Sequence, residues 1–463
     1  MSVLASVASA VFWGVVLLSV LVFVHEAGHF LSARAFGMRV TEFFLGMPCR
    51  LRLSWRSRSR GTEVGVTPIL LGGYTRICGM DGEAGAYAAA VLGSLARRGR
   101  ATLAQIAGDA GCSEDEALSA LAVLVDWASV EPHYDPELGE TPGQKEWPES
   151  FQTVRRDARL LTAFDRGHDF SQTGSTEAGE PHTLPEGGAE ALLASERART
   201  YQGKGVAARL VTLLAGPAVN IVLGLALVAG TLSVGGVTVA RDVSVVGAVQ
   251  ASSMAEASGI EAGDRVTSVA GEEVATWTEM GSALKAAIAA GSPFELRYER
   301  SGEELATTID PSAFPGQSMF GVTASTELYH PAILDSLRVA WNYVGMTASY
   351  VLQLFQPQHA AEVVSQSSSV VGISVMASEA ASSGVTDFLF LMAAISLSLG
   401  FMNLIPIPPL DGGKVLIELV QLVSRRQVPY RAQTYLSYVG LALAMLLFVF
   451  VLRQDIVRFV LGG

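Results

Sequence analysis

The stretch His25-Glu26-Ala27-Gly28-His29 decides the fold, because it closes a run of 24 residues that carry no charged side chain. A bilayer core takes about 20 apolar helical residues, so residues 1–24 are long enough to cross a membrane. A cleaved signal peptide is the alternative, but the run lacks a basic start and its apolar part is too long. We therefore predict a membrane-spanning helix that ends in ionisable side chains.

The spacing of His25 and His29 suits a metal site. Residues four apart on a helix project from the same face, so their imidazole nitrogens can bind one zinc ion. Glu26 lies between them and can act as a general base toward water that zinc activates near neutral pH. Ionisable groups at membrane depth are costly and usually functional, which favours a metal site over a polar cap at a helix end.

A catalytic zinc site needs a third protein ligand and one open position for water. The candidate is Asp411, in the segment NLIPIPPLDGG at residues 403–413. The prolines of this segment cannot continue a regular helix, so its backbone and carboxylate can turn inward. Asp411 alone would be an ordinary loop aspartate, but it becomes a strong candidate in combination with the two histidines.

The other apolar stretches give the fold class. Those long enough to span lie at about residues 206–234, 388–407 and 436–452. A further stretch, 332–355, contains charged residues, and we predict an amphipathic helix on the membrane surface there. A fifth span at that place would put Asp411 on the opposite face from His25. We therefore expect a multi-pass α-helical membrane protein with four transmembrane helices.

The distribution of Lys and Arg predicts the orientation. Residues 36–205 hold 18 of the 32 basic residues, whereas 235–385 hold six basic and sixteen acidic ones. We expect 36–205 and 408–435 in the cytoplasm, and 235–385 with both termini outside. The metal site then lies near the cytoplasmic face of the membrane.

Composition favours a membrane protein and argues against nucleic-acid binding and against zinc-ribbon or redox cysteine sites. Half of the 463 residues are hydrophobic and only 16% are charged, which favours membrane spans mixed with water-soluble parts. A net charge of −12 argues against a general affinity for nucleic acid. The three cysteines, Cys49, Cys78 and Cys112, have no zinc-ribbon or redox spacing, so we expect reduced thiols.

The segment after the first span has a β pattern. In the run Arg50–Arg60, arginines alternate with apolar residues, which predicts a strand with one basic face. Such a strand can lie against anionic headgroups, the alternative being an ordinary solvated strand. A second strand is predicted at Glu63–Leu71, closed by Gly72 and Gly73.

Residues 85–135 have a different pattern, with helices predicted at 88–98, 102–107 and 113–127 and a strand at 130–134. This order resembles a winged helix. The third helix is acidic and has neither Lys nor Arg, which opposes DNA binding and favours an unknown cytoplasmic protein partner or a regulatory role. Residues 136–200 are rich in Gly, Pro, Glu, Ser and Thr, and we predict a disordered linker.

Residues 243–311 return to regular structure. The sequence Ala257–Val266 (ASGIEAGDRV) leads into a predicted strand, followed by a helix near 280–290 and a strand at 294–299. This order resembles the bacterial form of a PDZ domain, which binds peptides as an added strand at a sheet edge. A small β-rich domain without a ligand is the alternative.

Taken together, the motifs resemble the site-2 protease family, in its bacterial RseP-like branch with a PDZ domain. The matching pieces are the His25–His29 motif, the motif at Asn403–Gly412, and Ala215-Gly216-Pro217-x-x-Asn220 in the second span. Gly72-Gly73-Tyr74 resembles the family's membrane-associated β loop. The resemblance covers the chain except about 85–195, so the role of that insertion stays open.

The resemblance implies roles for individual residues. His25, His29 and Asp411 would bind Zn²⁺, and Glu26 would be the general base. The expected substrate-binding residues are Asn403, Asn220, Gly72 and Gly73.

The resemblance also implies an activity, the hydrolysis of a peptide bond in the transmembrane segment of a single-span protein that another protease has already cut. An anti-sigma factor or a signal-peptide remnant would be such a substrate, and the PDZ domain would contact its terminus. The alternatives are a membrane-tethered regulator and a PDZ binding scaffold, each with a degenerate protease core. An intact Glu26 argues against the scaffold.

The predicted organisation is as follows: 1–35, first span with the His-Glu-x-x-His motif; 36–84, membrane-associated β loop; 85–135, winged-helix-like insertion; 136–200, linker; 205–234, second span; 243–311, PDZ domain; 330–385, extracytoplasmic amphipathic helical region; 386–407, third span; 408–433, Leu-Asp-Gly motif and cytoplasmic loop; 434–453, fourth span.

Overall fold

The computed structural model describes residues 3–70, 72–80, 82–426 and 428–460. It divides into two compact units, one formed by Met1–Val228 with Val339–Gly463 and the other by Ala229–Arg338. Leu71, the last residue of a predicted strand, and Met1, Ser2 and Asp81 in other predicted segments lie outside the described residues.

The helices are α1 (Val3–Ala35), α2 (Ala88–Arg98), α3 (Leu103–Ala110), α4 (Glu114–Asp126), α5 (Gly188–Arg197), α6 (Val206–Gly230), α7 (Met254–Ala257), α8 (Trp277–Ala290), α9 (Ile333–Leu352), α10 (Pro357–Gln366), α11 (Val370–Ser383), α12 (Val385–Asn403), α13 (Asp411–Ser424) and α14 (Tyr430–Asp455). The strands are β1 (Val40–Leu45), β2 (Leu53–Arg56), β3 (Glu63–Val66), β4 (Gly73–Ile77), β5 (Arg100–Thr102), β6 (Val130–His133), β7 (Ser150–Thr153), β8 (Val237–Ala240), β9 (Val246–Val249), β10 (Arg265–Val269), β11 (Glu272–Glu273), β12 (Phe294–Arg300), β13 (Glu303–Ile309), β14 (Val322–Ala324) and β15 (Thr326–Tyr329).

Four helices in the described part of the chain are long and apolar enough to cross a membrane, as predicted. They comprise Leu4–Ala35, Val206–Gly235, Val385–Asn403 and Arg431–Arg458. The third is shorter than expected, because the helix ends at Asn403 rather than at Ile407. Pro406 and Pro408 follow and lack the backbone N–H groups that a helix needs.

Within the predicted amphipathic region, α9 forms where a surface helix was expected, with exposed side chains such as Leu334 and Trp341. The prediction did not single out α11, which packs against α1. Ser9 Oγ lies 2.7 Å from Ser378 Oγ. Small residues let apolar helices approach closely, and here the two serine side chains meet where α1 packs against α11.

The β region forms one sheet with the strand order β2-β3-β1-β4. β1 pairs in parallel with β3 and antiparallel with β4, which leaves β4 at one edge. The Thr75 hydroxyl of β4 donates a hydrogen bond to the Glu26 carbonyl at 3.1 Å. The sheet is thus attached to the helix that carries the histidine motif.

The insertion contains the three predicted helices as α2, α3 and α4, together with a three-stranded sheet ordered β5-β7-β6. Its core contains the fully buried side chains of Leu92, Leu121, Trp127 and Phe151. The Ser113 hydroxyl accepts from the Glu116 amide, and the Glu116 carboxylate accepts from the Ser113 amide. This reciprocal pair starts α4, as its sequence suggests.

The prediction of a disordered linker at 136–200 is wrong. That segment forms β7 and α5. It has few apolar residues, and buried ion pairs attach it to the rest of the unit. Arg39, at the start of the β region, donates to Asp165 at 2.6 Å and to Glu196 at 2.6 Å. Arg156 donates to the other Glu196 oxygen at 2.8 Å. Composition does not reveal this network, because its partners are far apart in sequence.

We expect Glu196→Gln to destabilise the protein by about 3–5 kcal/mol, because it leaves two buried guanidinium groups short of negative charge. Burial alone would raise the pKa of Glu196, but Arg156 and Arg39 lower it below the ordinary value of 4.5. This stabilisation is therefore present above pH 4.5 and is lost as pH falls toward the folded-state pKa. The measurement is the thermal unfolding midpoint of the full chain in detergent.

The control for that substitution is Glu190→Gln in the same helix, where the carboxylate is exposed. An exposed charge in the first turn of a helix contributes about 0.3–1 kcal/mol. Equal losses in the two variants would contradict a structural role of the buried network.

The unit Ala229–Arg338 contains a four-stranded sheet ordered β11-β10-β12-β13 and the pairs β9–β14 and β8–β15. The predicted strand at 294–299 and helix near 280–290 appear as β12 and α8. Arg300 of β12 donates to both carboxylate oxygens of Asp264 at 2.7 Å. This bidentate ion pair fixes the turn before β10. The turn lies in the segment Ala257–Val266 that was predicted to lead into a strand.

Candidate metal centre

Three candidate ligands meet where the last third of α1 lies beside the start of α13. His25 Nε2 lies 3.1 Å from Asp411 Oδ2, and His29 Nε2 lies 3.2 Å from the same oxygen. The two Nε2 atoms are 3.2 Å apart. One ligand atom from each residue thus lies within 4.8 Å of the others, in a largely buried position.

The hydrogen bonds behind the histidines fit a metal ion. His29 Nδ1 donates to the Thr212 carbonyl at 2.8 Å, which leaves the Nε2 lone pair free. A protein or water acceptor at the outer nitrogen of a metal-binding histidine fixes its tautomer and ring orientation. The His29 side chain is therefore prepared to bind a metal through Nε2.

His25 has a comparable partner in Asn220. Its Nδ1 lies 3.4 Å from the Asn220 side-chain nitrogen, and Asn220 is fully buried. The Asn220 Oδ1 atom has no hydrogen-bond partner among the described residues. With the amide rotated by 180°, Oδ1 accepts a hydrogen bond from His25 Nδ1–H and gains the partner it lacks. Two imidazoles oriented in this way, together with one carboxylate, match a catalytic zinc site.

Close helix packing brings the histidines into place. Gly28 of α1 faces the Ala215 carbonyl, and a side chain at Gly216 of α6 would collide with the His29 and His25 rings. The absence of a Cβ at Gly216 therefore makes room for the ligands. The sequence shows a glycine here, in the Ala215-Gly216-Pro217 motif. Its role in making room for the imidazole rings becomes visible only when α1 is packed against α6.

Asp411 is positioned by the turn between α12 and α13. It is the first residue of α13, and Gly412 lies against the Leu404 carbonyl with no room for a side chain. Gly440 of α14 lies against the Pro408 carbonyl in the same way. The fourth long helix thus supports the turn that presents the carboxylate.

Glu26 lies beside the edge strand β4. A Cβ added at Gly73 would be 3.4 Å from Glu26 Cγ. The Gly72 carbonyl accepts from the Gly46 amide at 2.7 Å, so Gly72 and Gly73 continue the sheet toward Glu26. The general-base candidate therefore packs against the face of the edge strand at Gly73 and is only partly buried.

The two asparagines have different surroundings. Asn403, at the end of α12, donates to the Leu399 carbonyl at 2.9 Å and is partly exposed. Asn220, which the family resemblance implies as a substrate-binding residue, is fully buried beside His25. Ser396 Oγ donates to the Asn220 carbonyl at 2.8 Å. Thr212 and Ser396 are supporting residues that the sequence analysis did not identify.

We expect Asn220→Ala to weaken zinc binding about 10- to 100-fold, because His25 loses the group that orients its ring. The measurement is the zinc content of the purified protein after competition with a chelator. Asn403→Ala is the matched control and keeps its zinc. Equal zinc retention by both variants would contradict the assigned role of Asn220.

Comparison of the sequence with known proteins identifies the family of this chain. The family model for peptidase family M50 matches residues 13–447. The zinc metalloprotease RasP of Shouchella clausii is 28% identical over 461 residues, covering 96% of this chain and 97% of the relative. The RasP of Geobacillus kaustophilus is 27% identical over 459 residues, with 96% and 97% covered.

Proposed function

The chain belongs to peptidase family M50 and is a membrane-bound zinc metalloprotease of the site-2 type, and we propose that it cuts inside the transmembrane segment of a single-span protein. The substrate would be one that another protease has already shortened, such as an anti-sigma factor, or a signal-peptide remnant. The observation that carries this proposal is the meeting of His25, His29 and Asp411 beside Glu26 at the end of a long apolar helix.

The proposed site residues divide the chemistry among them. His25, His29 and Asp411 would hold zinc, which supplies Lewis-acid activation of water and of the scissile carbonyl. The Glu26 carboxylate would accept a proton from the attacking water and deliver it to the leaving amide nitrogen. Thr212 and Asn220 would hold the imidazole tautomers in which Nε2 remains a ligand.

Strand β4 is the proposed substrate platform. A transmembrane helix keeps its carbonyls hydrogen-bonded, so it must unwind before water can attack. Among the described residues β4 is an edge strand of its sheet, and it lies beside Glu26, so an unwound segment can pair with it by edge addition. Asn403, at the end of α12, would hold part of the unwound backbone.

The orientation, the domain identities and the partners are part of the proposal. Residues 36–205 and 408–435 would face the cytoplasm, and the unit containing 243–311 would be an extracytoplasmic PDZ domain that contacts the substrate terminus. Residues 85–135 would be a winged-helix-like module for a protein partner. The acidic first turn of α4 (Glu114, Asp115 and Glu116) argues against DNA as its ligand.

The test is cleavage of candidate single-span proteins, each truncated on the extracytoplasmic side, in membranes that contain the wild-type chain or an inactive Glu26→Gln chain. Released fragments are identified by mass. We expect cuts within the hydrophobic segment that appear only with the wild-type chain. Cuts confined to sequences outside the hydrophobic segment would contradict intramembrane cleavage.

A further inference from the structure

A cavity lies at the starts of the long helices α6 and α14 in the first unit. Its volume is about 590 Å³, which is within the range of small-molecule sites. It lies between the end of α5, the start of α6, helix α13 and the start of α14. The proposed function assigns no role to this cavity.

Basic side chains dominate the cavity wall. Glu83 and Glu418 are the two carboxylates, and five cations face them: Arg197, Arg209, Lys414, Arg425 and Arg426. Glu418 is buried, Arg209 lies 3.2 Å from its Oε2, and the Tyr201 hydroxyl donates to its Oε1 at 3.1 Å. Glu418 Oε2 forms an ion pair with Arg209 but has no hydrogen-bond partner among the described residues. The other four cations form no ion pair with a carboxylate of residues 3–70, 72–80, 82–426 or 428–460. The cavity therefore has an excess of positive charge.

Helix ends of both polarities meet at the cavity, because α5 ends at Arg197 and α13 at Ser424 while α6 and α14 begin there. α6 and α14 both begin at the cavity, and helix N-termini carry partial positive charge and unpaired N–H groups. The buried Arg209 Nε–H has no hydrogen-bond partner among the described residues. An anion in the cavity would therefore have the basic side chains and the N–H groups at the starts of α6 and α14 as donors.

The surface beside the cavity is apolar. Tyr438 lines the cavity and is 64% exposed, and Val439 and Leu443 continue an exposed apolar face along α14. Leu422 and Val423 of α13 are also exposed. A soluble anion would use only the basic part, whereas a phospholipid would use both. Basic pockets between membrane helices are typical sites for anionic headgroups.

We propose that this cavity binds the phosphate headgroup of an anionic phospholipid, with acyl chains along α13 and α14. The phosphate would connect Lys414 of α13 with Arg197 of α5 and Arg426 beyond α13. Because Asp411 is the first residue of α13, the bound lipid would also stabilise the helix that presents this ligand. Placing the lipid in the cytoplasmic leaflet depends on the proposed orientation, but the binding itself does not.

The test measures the thermal unfolding midpoint of the full chain in neutral detergent with increasing phosphatidylglycerol. We expect a saturable rise of about 3–5 °C, because a ligand that binds only the folded state stabilises it. Phosphatidylcholine, inorganic phosphate and glycerol 3-phosphate at matched concentrations should give less than a quarter of this rise. The double variant R197Q/R426Q should lose the rise, and the charge-matched R97Q/R166Q, at exposed arginines outside the cavity, should keep it.

Several results would overturn this proposal. An equal rise with phosphatidylcholine would indicate general solvation by lipid, and a full rise with glycerol 3-phosphate would indicate a soluble ligand. An unchanged rise in R197Q/R426Q would place the binding elsewhere. If that variant does not fold, the wild-type chain still decides the matter, since 0.5 M salt should abolish most of an electrostatic effect. Cleavage activity is not the readout, so the result is independent of the proposed protease function.

Discussion

Glu26→Gln is expected to lower the rate of peptide cleavage at least about 10³-fold while leaving the zinc content unchanged. The glutamine side chain has nearly the same shape as glutamate but cannot accept a proton. The proposed zinc ligands are other residues, and Glu26 contributes none of the atoms that meet at 3.1–3.2 Å. The measurement combines cleavage of a single-span protein in proteoliposomes with the metal content of the same preparation.

Two controls make this prediction specific to the proton transfer. Glu42→Gln changes a carboxylate in the adjacent sheet, on strand β1, and should keep most of the activity. Asp411→Ala should lose both zinc and activity, because it removes a ligand. Retention of wild-type activity by Glu26→Gln would refute the assignment of the general base, and loss of zinc would show that the residue has a structural role.

Gly216→Ala is expected to remove zinc and activity together, each by about 100-fold or more, although it adds a single methyl group. A Cβ at this position would overlap the imidazole rings of His29 and His25. His29 cannot rotate away without losing its bond to the Thr212 carbonyl, so its Nε2 would leave the ligand position. A misplacement of about 1 Å is enough to cost about 10²-fold in catalysis.

Gly230→Ala is the control for that substitution, since it lies on the same helix and its Cβ would meet nothing within 4 Å. It should keep zinc and activity, because alanine favours a helix more than glycine does. The metal content after chelator competition and the thermal unfolding midpoint separate loss of the site from loss of the fold. Full zinc occupancy in Gly216→Ala would contradict the packing argument.

The sequence by itself determined the local features. An uncharged run long enough for a bilayer, histidines four residues apart and a proline-broken segment before Asp411 depend only on composition and helical periodicity. Strands β2 and β3, each shorter than predicted, helices α2–α4 and strand β12 followed from the same kind of pattern, whereas β1 and β4 were not predicted as separate strands. These features could be predicted because neighbouring residues carry the whole signal.

Only the tertiary structure decided which distant residues meet. The 3.1 Å approach of Asp411 to His25 joins residues 386 positions apart, and Asn220 reaches His25 from another helix. The buried ion pairs of Arg39 with Asp165 and Glu196 order a segment whose composition suggested disorder. The packing of α11 on α1 also joins residues that are far apart in sequence, and so does the basic cavity at the start of α6 and α14. The physical reason is that burial and charge pairing act between elements brought together by folding, and no local pattern in the sequence records which elements those are.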